Sequence, residues 1–109
     1  ANSDTSTITN VVSLNPNIDI GEVKIREKHL VKLQLKNNGG NICKINNVQA
    51  TCNCVIVDNF PEYIYPGETI SIGVRFLSHQ KGVVQREIFV SVDGNKSLIK
   101  FNLKATVVG

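Results

Sequence analysis

The residues best equipped for chemistry are Cys52 and Cys54, one residue apart with Asn53 between them. Two thiolates at that spacing can chelate a soft ion such as Cu(I), or cycle between dithiol and disulfide. A structural zinc site asks for four ligands, and the other candidates, Cys43, His29 and His79, stand at none of the familiar spacings. A disulfide has its own geometric condition. In a fully extended segment the Cα atoms of residues i and i+2 lie ~7 Å apart, at the far edge of the bonding range. A Cys52–Cys54 bond therefore requires a turn at Asn53, a residue type that tolerates left-handed backbone. Two outcomes stay open for the pair: a labile disulfide, or two half-buried thiols that close a strand. Cys43, between Ile42 and Ile45 on an alternating segment, fits a buried, inert thiol.

The remaining polar candidates form no catalytic constellation. His29 lies in Glu27-Lys28-His29 and His79 in Ser78-His79-Gln80. Neither belongs to a Gly-x-Ser-x-Gly or His-Glu-x-x-His arrangement that would supply a nucleophile, a metal partner or an orienting group. Both read as solvated surface histidines. Asp58, Glu62 and Glu68 are close in sequence, but Glu68 belongs to a Pro-Gly-Glu turn and the others to a loop, so they read as solvated acids. Phe60, Tyr63 and Tyr65 precede that turn as a short aromatic cluster. They are a candidate binding patch, although aromatics favour burial strongly enough that capping one end of a core is the first expectation.

The elements that must position these residues are strands. Val31, Leu33 and Leu35 alternate with Lys32, Gln34 and Lys36, the pattern of a strand with one buried and one wet face. The same holds for Ile70, Ile72, Val74 and Phe76, for Ile88, Val90 and Val92, and for Ile99 through Val107, the longest clean alternation. Weaker strands are expected around 8–14, 18–23 and 42–50. In the last, Cys43 and Ile45 point inward from odd positions and Val48 and Ala50 from even ones, which calls for a bulge at Asn46-Asn47. Asn38-Gly39-Gly40-Asn41, Pro66-Gly67 and Asp93-Gly94 supply turn chemistry, the first and last as connections between antiparallel strands. The predicted core holds Val31, Leu33, Leu35, Ile70, Ile72, Val74, Phe76, Ile88, Val90, Phe101 and Leu103. Outward-facing Lys32, Lys36, Lys100 and Lys104 guard against sheet-to-sheet aggregation.

Composition agrees. Among 109 residues there are 14 Val and 12 Ile against 7 Leu, 3 Ala and no Met, a balance that suits pleated surfaces. Hydrophobic residues make up 41% and charged residues 19%, which excludes a disordered chain, and no run reaches the roughly 20 apolar residues of a membrane helix. A net charge of +3 falls short of the clustered charge that nucleic acid demands. The length fits a single domain. The first residue is Ala1 and Ser, Thr, Asn and Asp dominate up to Thr7, so a processed N-terminus and a polar tether are expected. Residues 1–16 are assigned to this tether together with a candidate first strand, and residues 17–109 to one sandwich domain. The expected fold is all-β, an immunoglobulin-like antiparallel β-sandwich of about seven strands.

Several segments occur in a familiar order: Ile18 to Val23, Leu33 to Gly39, Val48-Gln49-Ala50-Thr51-Cys52-Asn53-Cys54, Tyr65-Pro66-Gly67-Glu68, Val74-Arg75-Phe76, Gly82 and Leu103 to Val107. From about Asn17 to Val108 the chain resembles a bacterial family of domains of unknown function whose signature is Ser-Cys-Gly-Cys-Thr followed by Pro-Gly-Glu. That family is similar to the hydin-type, or ASH, immunoglobulin-like domains and to the major sperm protein sandwich. Three signature positions differ: Thr51, Asn53 and Val55 stand in place of Ser, Gly and Thr, and Cys43 occupies a position that is usually aliphatic. The resemblance implies a non-catalytic interaction or spacer module of an exported bacterial protein or lipoprotein, in the periplasm or at the cell surface, with a lipid anchor through a removed N-terminus as one form of attachment. It implies another protein or a cell-envelope component as partner and no cofactor. The alternative is a copper-binding or thiol-redox protein acting through Cys52 and Cys54.

Overall fold

The structure, a computed structural model, describes residues 10–95 and 98–109; the tether up to Thr7, and Ile8, lie outside them. Nine strands occur among the described residues: β1 (Val11–Ser13), β2 (Asn17–Lys24), β3 (His29–Asn37), β4 (Cys43–Ala50), β5 (Val55–Val57), β6 (Tyr63–Ile64), β7 (Thr69–Phe76), β8 (Gly82–Val92) and β9 (Ile99–Val108). They form two sheets, β1-β3-β7-β5 and β2-β9-β8-β4-β6. The two strands beyond the expected seven are the short β5 and β6, which lack an alternating run long enough to register as a period.

The core lies between the sheets and is built by the alternation. Leu33, Leu35, Ile72, Val74, Ile88, Val90, Phe101 and Leu103 are essentially inaccessible to solvent, as are Ile64 and Phe76. Each fully buried aliphatic side chain stabilises the fold by about 1.5–3 kcal/mol. The parity switch in β4 is met by a register shift between Ile45 and Asn47 against β8. Cys43, Ile45 and Val48 are therefore all buried.

Three connections differ from the expectation. Asn38-Gly39-Gly40-Asn41 does not form a hairpin: β3 and β4 belong to different sheets, and neither glycine adopts positive φ. The segment is a crossover at the sandwich edge. Second, β2 pairs with β9 in parallel, whereas every other pair is antiparallel. Third, β1 and β2 are nearly continuous in sequence but change sheets at Asn15-Pro16. Pro16 has no N–H to give a ladder, and the Asn15 side chain takes over its role, donating to the Lys32 carbonyl (2.9 Å) and accepting from the Gln34 N–H (2.8 Å).

β2 is an edge strand, and its ladder with β9 is interrupted by a register shift between Asp19 and Glu22, with Gly21 at φ 71° and its N–H donating to Asp19 Oδ1. Such a bulge, with charges beside it, blunts an open edge. The two remaining turns behave as expected. Gly67 (φ 79°) follows Pro66 with the Glu68 N–H donating to the Tyr65 carbonyl, and Gly94 (φ 86°) follows Asp93 with the Asn95 N–H donating to the Val92 carbonyl.

Candidate functional site

The aromatic cluster divides when the chain folds. Phe60 is half-buried and packs against the core. Tyr63 and Tyr65 do not cap the core: strand alternation turns Ile64 inward and leaves its neighbours 45% and 55% exposed. β6 pairs with the start of β4, Cys43 opposite Ile64 and Lys44 opposite Tyr63. Continuing that register sets Ile42, itself 53% exposed, opposite Tyr65. Ile42, Tyr63 and Tyr65 thus form an apolar corner at one end of the five-stranded sheet, rimmed by Lys44 and its ion pair with Glu62 at 3.6 Å.

One buried polar residue holds this corner. Asn37 ends β3 at 0% exposure, and its side-chain amide donates to the Ile64 carbonyl (2.9 Å) and to the Asn41 carbonyl (2.7 Å), while its Oδ1 accepts from the Gly39 N–H (2.9 Å). Its backbone does the same work on the other side. The Asn37 N–H donates to the Glu68 carbonyl, and the Asn37 carbonyl accepts from the Gly67 N–H. Glu68 completes the turn, its Oε1 accepting from the Tyr65 N–H at 2.9 Å. The crossover, β6 and the Pro-Gly-Glu turn therefore converge on a single amide. The sequence carried a signal for it, because Asn37 continues the inward parity of Val31, Leu33 and Leu35, and a polar residue in phase with a core face needs internal partners.

The cysteine pair lies beyond the opposite end of β4. Cys52 and Cys54 are joined as a disulfide with Cα atoms 5.3 Å apart, both half-buried and packed on the core edge. The turn that brings them together is made without positive φ at Asn53, so left-handed backbone is not what it depends on. The Cys54 N–H points at Cys52 Sγ (3.2 Å), and the Thr51 N–H and Oγ1 are both hydrogen-bonded to the Glu87 backbone, as donor and acceptor respectively. With the sulfurs bonded to each other, neither offers a thiolate to a metal. Among the described residues no group of three His, Cys, Asp or Glu side chains gathers. Cys43 is buried, its thiol 3.6 Å from the Asn41 carbonyl.

The isolated titratable residues stay apart, and two of them are less solvated than their sequence context suggests. His29 is half-buried at the start of β3 with its Nε2 shielded from water and 3.6 Å from Glu27. His79 is exposed. Asp58 is half-buried and holds Arg75 at 2.8 Å across the outer face of the four-stranded sheet. No nucleophile, base and orienting group come together at any of these positions.

A profile of the family described as "Protein of unknown function (DUF1573)" matches residues 12–107. The chain belongs to that family. No curated protein matches the sequence. Among solved structures, this DUF1573 domain is similar to a Porphyromonas gingivalis protein of unknown function (TM-score 0.73, 12% identity, 91% of this chain and 46% of that one). It is also similar to the human CEP192 ASH/PapD-like domain 7 (0.74, 14%, 99% and 90%) and to the secreted serine protease VesC of Vibrio cholerae (0.67, 11%, 92% and 23%). These likenesses establish an immunoglobulin-like, PapD-like sandwich. The chain spans less than half the length of the Porphyromonas structure and less than a quarter of VesC. In the DUF1573 domain the Pro-Gly-Glu element is the turn locked to Asn37, a positioning device for the exposed corner.

Proposed function

We propose that this domain is a non-catalytic interaction or spacer module of an exported bacterial protein, working in the periplasm or at the cell surface and docking another protein or a cell-envelope component through the Ile42, Tyr63 and Tyr65 corner. The observation that carries this reading is the exposed apolar corner braced from beneath by the hydrogen bonds of one fully buried amide, Asn37. Rigid, partly apolar aromatics presented on ordered backbone are the side chains that anchor interfaces. Two further facts support it. The same fold forms a minor part of larger chains, one of them a secreted protease, as expected of a module that leaves the chemistry to other parts. The half-exposed Cys52–Cys54 disulfide suits an oxidising compartment.

The test is capture from a solubilised envelope fraction with the native domain and with a Tyr63→Ala/Tyr65→Ala variant, alongside fractionation of cells that produce the full-length protein. A partner retained by the native domain, lost by the variant, and a signal in the periplasm or envelope are expected. Identical capture by both forms, or a purely cytoplasmic protein, would refute the proposal.

A further inference from the structure

The outer face of the five-stranded sheet carries a second feature, remote from the corner. Where β2, β9 and β8 run side by side, the sheet twists into a trough of about 640 Å3. Its floor follows the register: Asn17, Asn102 and Glu87 form one row, Asp19, Lys104 and Gln85 the next, with Thr51 closing the far side. Neighbouring strands stand ~4.8 Å apart, so the rows present polar groups at a regular lateral spacing.

Few of these groups are used within the protein. The Asn102 amide donates to Asn17 Oδ1 (3.1 Å), a bond that uses neither the Asn102 oxygen nor the Asn17 amide hydrogens. Thr51 Oγ1 accepts a backbone N–H and keeps its hydroxyl proton. Asp19 uses one oxygen on Gly21. Gln85 and Lys104 have no side-chain partner among the described residues, although their register neighbours are polar. Arg86 folds back onto the Gln85 carbonyl at 2.8 Å, and Glu87 is held by Lys100 at 3.0 Å. The charges on this face, Asp19 and Glu87 against Lys104 and Lys100, cancel, whereas Arg86 stands opposite buried Leu103 on the inward parity.

A floor of this kind excludes most ligand classes. Cancelled charge gives no net attraction to a polyanion, and the two apolar side chains of the lining, Ile18 and Leu103, are half-buried and buried, so they offer an apolar segment no protruding anchor. The array is instead matched to a ligand whose every polar group both donates and accepts, because donors (Asn17, Lys104, Thr51) and acceptors (Asn102, Asp19) are interleaved and Gln85 offers both. Hydroxyls do so. One row further along, Phe89 is half-exposed opposite Lys100 and supplies an apolar face beside the polar floor. From this juxtaposition we propose that the trough binds a neutral oligosaccharide laid across β2, β9 and β8. The site is independent of the Tyr63 and Tyr65 corner, so it stands or falls separately from the docking reading.

The experiment uses the intact domain. A glycan array containing neutral, uronate-bearing and sulfated oligosaccharides selects the probe, and amide chemical shifts followed during titration with the best neutral hexasaccharide locate it. Shifts at Gln85, Asn102, Lys104 and Asp19 are expected, with at least tenfold weaker binding in Gln85→Ala and in Lys104→Ala. Both residues are exposed, so the variants keep their melting temperature. A Tyr65→Ala control binds the glycan as the native domain does. Binding of no glycan, binding of the charged glycans alone, shifts confined to another face, or full affinity in both variants each overturns the proposal.

Discussion

Replacing Asn37 by alanine tests whether one amide holds the corner together. The side chain makes three hydrogen bonds at zero exposure. The Ile64 carbonyl is buried, and leaving such a group unpaired costs ~1–3 kcal/mol; the Asn41 carbonyl and Gly39 N–H are partly accessible, can recover water, and each cost ~0.5–1.5 kcal/mol. The loss expected for Asn37→Ala is therefore about 2–6 kcal/mol, a large fraction of the ~5–15 kcal/mol that stabilises a domain. Asn37→Asp should be at least as damaging, since a carboxylate has no hydrogens for the Ile64 and Asn41 carbonyls and would be buried charged. Urea unfolding measures the midpoint and its slope, and Asn38→Ala, at an exposed neighbour, is the control expected within ~0.5 kcal/mol. A loss below 1 kcal/mol for Asn37→Ala, or an equal loss for Asn38→Ala, would refute the network argument.

Other outcomes follow from the packing and the turns. Leu33→Ala should cost about 2–5 kcal/mol and Phe76→Ala about 3–5 kcal/mol in the same unfolding assay, because both are buried between the sheets and leave a cavity. Gly67→Ala meets no atom within 4 Å, so its cost should be only the left-handed backbone penalty of about 1–2 kcal/mol; a larger loss of melting temperature would point to a contact that the structure lacks. Alkylation under denaturing, non-reducing conditions should label one thiol per chain, Cys43, and three after reduction. Because the Cys52–Cys54 loop is so short, the double substitution to serine should cost no more than about 2 kcal/mol by the chain-entropy estimate.

Strand existence was legible because a sheet with one buried face writes a period of two into the sequence. Every residue assigned to the core on that basis, from Val31 to Leu103, is buried. What the period cannot carry is the partner of each strand. Asn38-Gly39-Gly40-Asn41 has the composition of a hairpin, yet it carries the chain across to the other sheet, since turn chemistry specifies local reversal and not which ladder receives the next strand. The parallel pairing of β2 with β9 is set by contacts more than 80 residues apart, such as Asn17 with Asn102. The aromatic cluster divides, Phe60 against the core and Tyr63 and Tyr65 outward, for a related reason. Ile64 shares a two-residue strand with Tyr63 and is followed by Tyr65, and which parity faces inward is decided by its pairing with Cys43, a contact the local sequence does not contain.

The same alternation separates the residues that make the fold from those left over to act. On β8 and β9 the inward positions Ile88, Val90, Phe101 and Leu103 are fixed by packing against the opposite sheet, where a change of one methylene is felt. The outward positions are under no such constraint, and lysine or glutamate at each of them would keep the sheet soluble. Instead the outward face mixes Gln85, Asn102 and Thr51 with balanced charges, and places half-exposed Phe89 beside them. At the corner, Asn37 forgoes an apolar side chain in the core for three hydrogen bonds that stabilise only the segments bearing Ile42, Tyr63 and Tyr65. Packing alone explains neither choice. Both become intelligible if the sandwich is a rigid frame whose two surfaces, one apolar and one polar, meet different ligands.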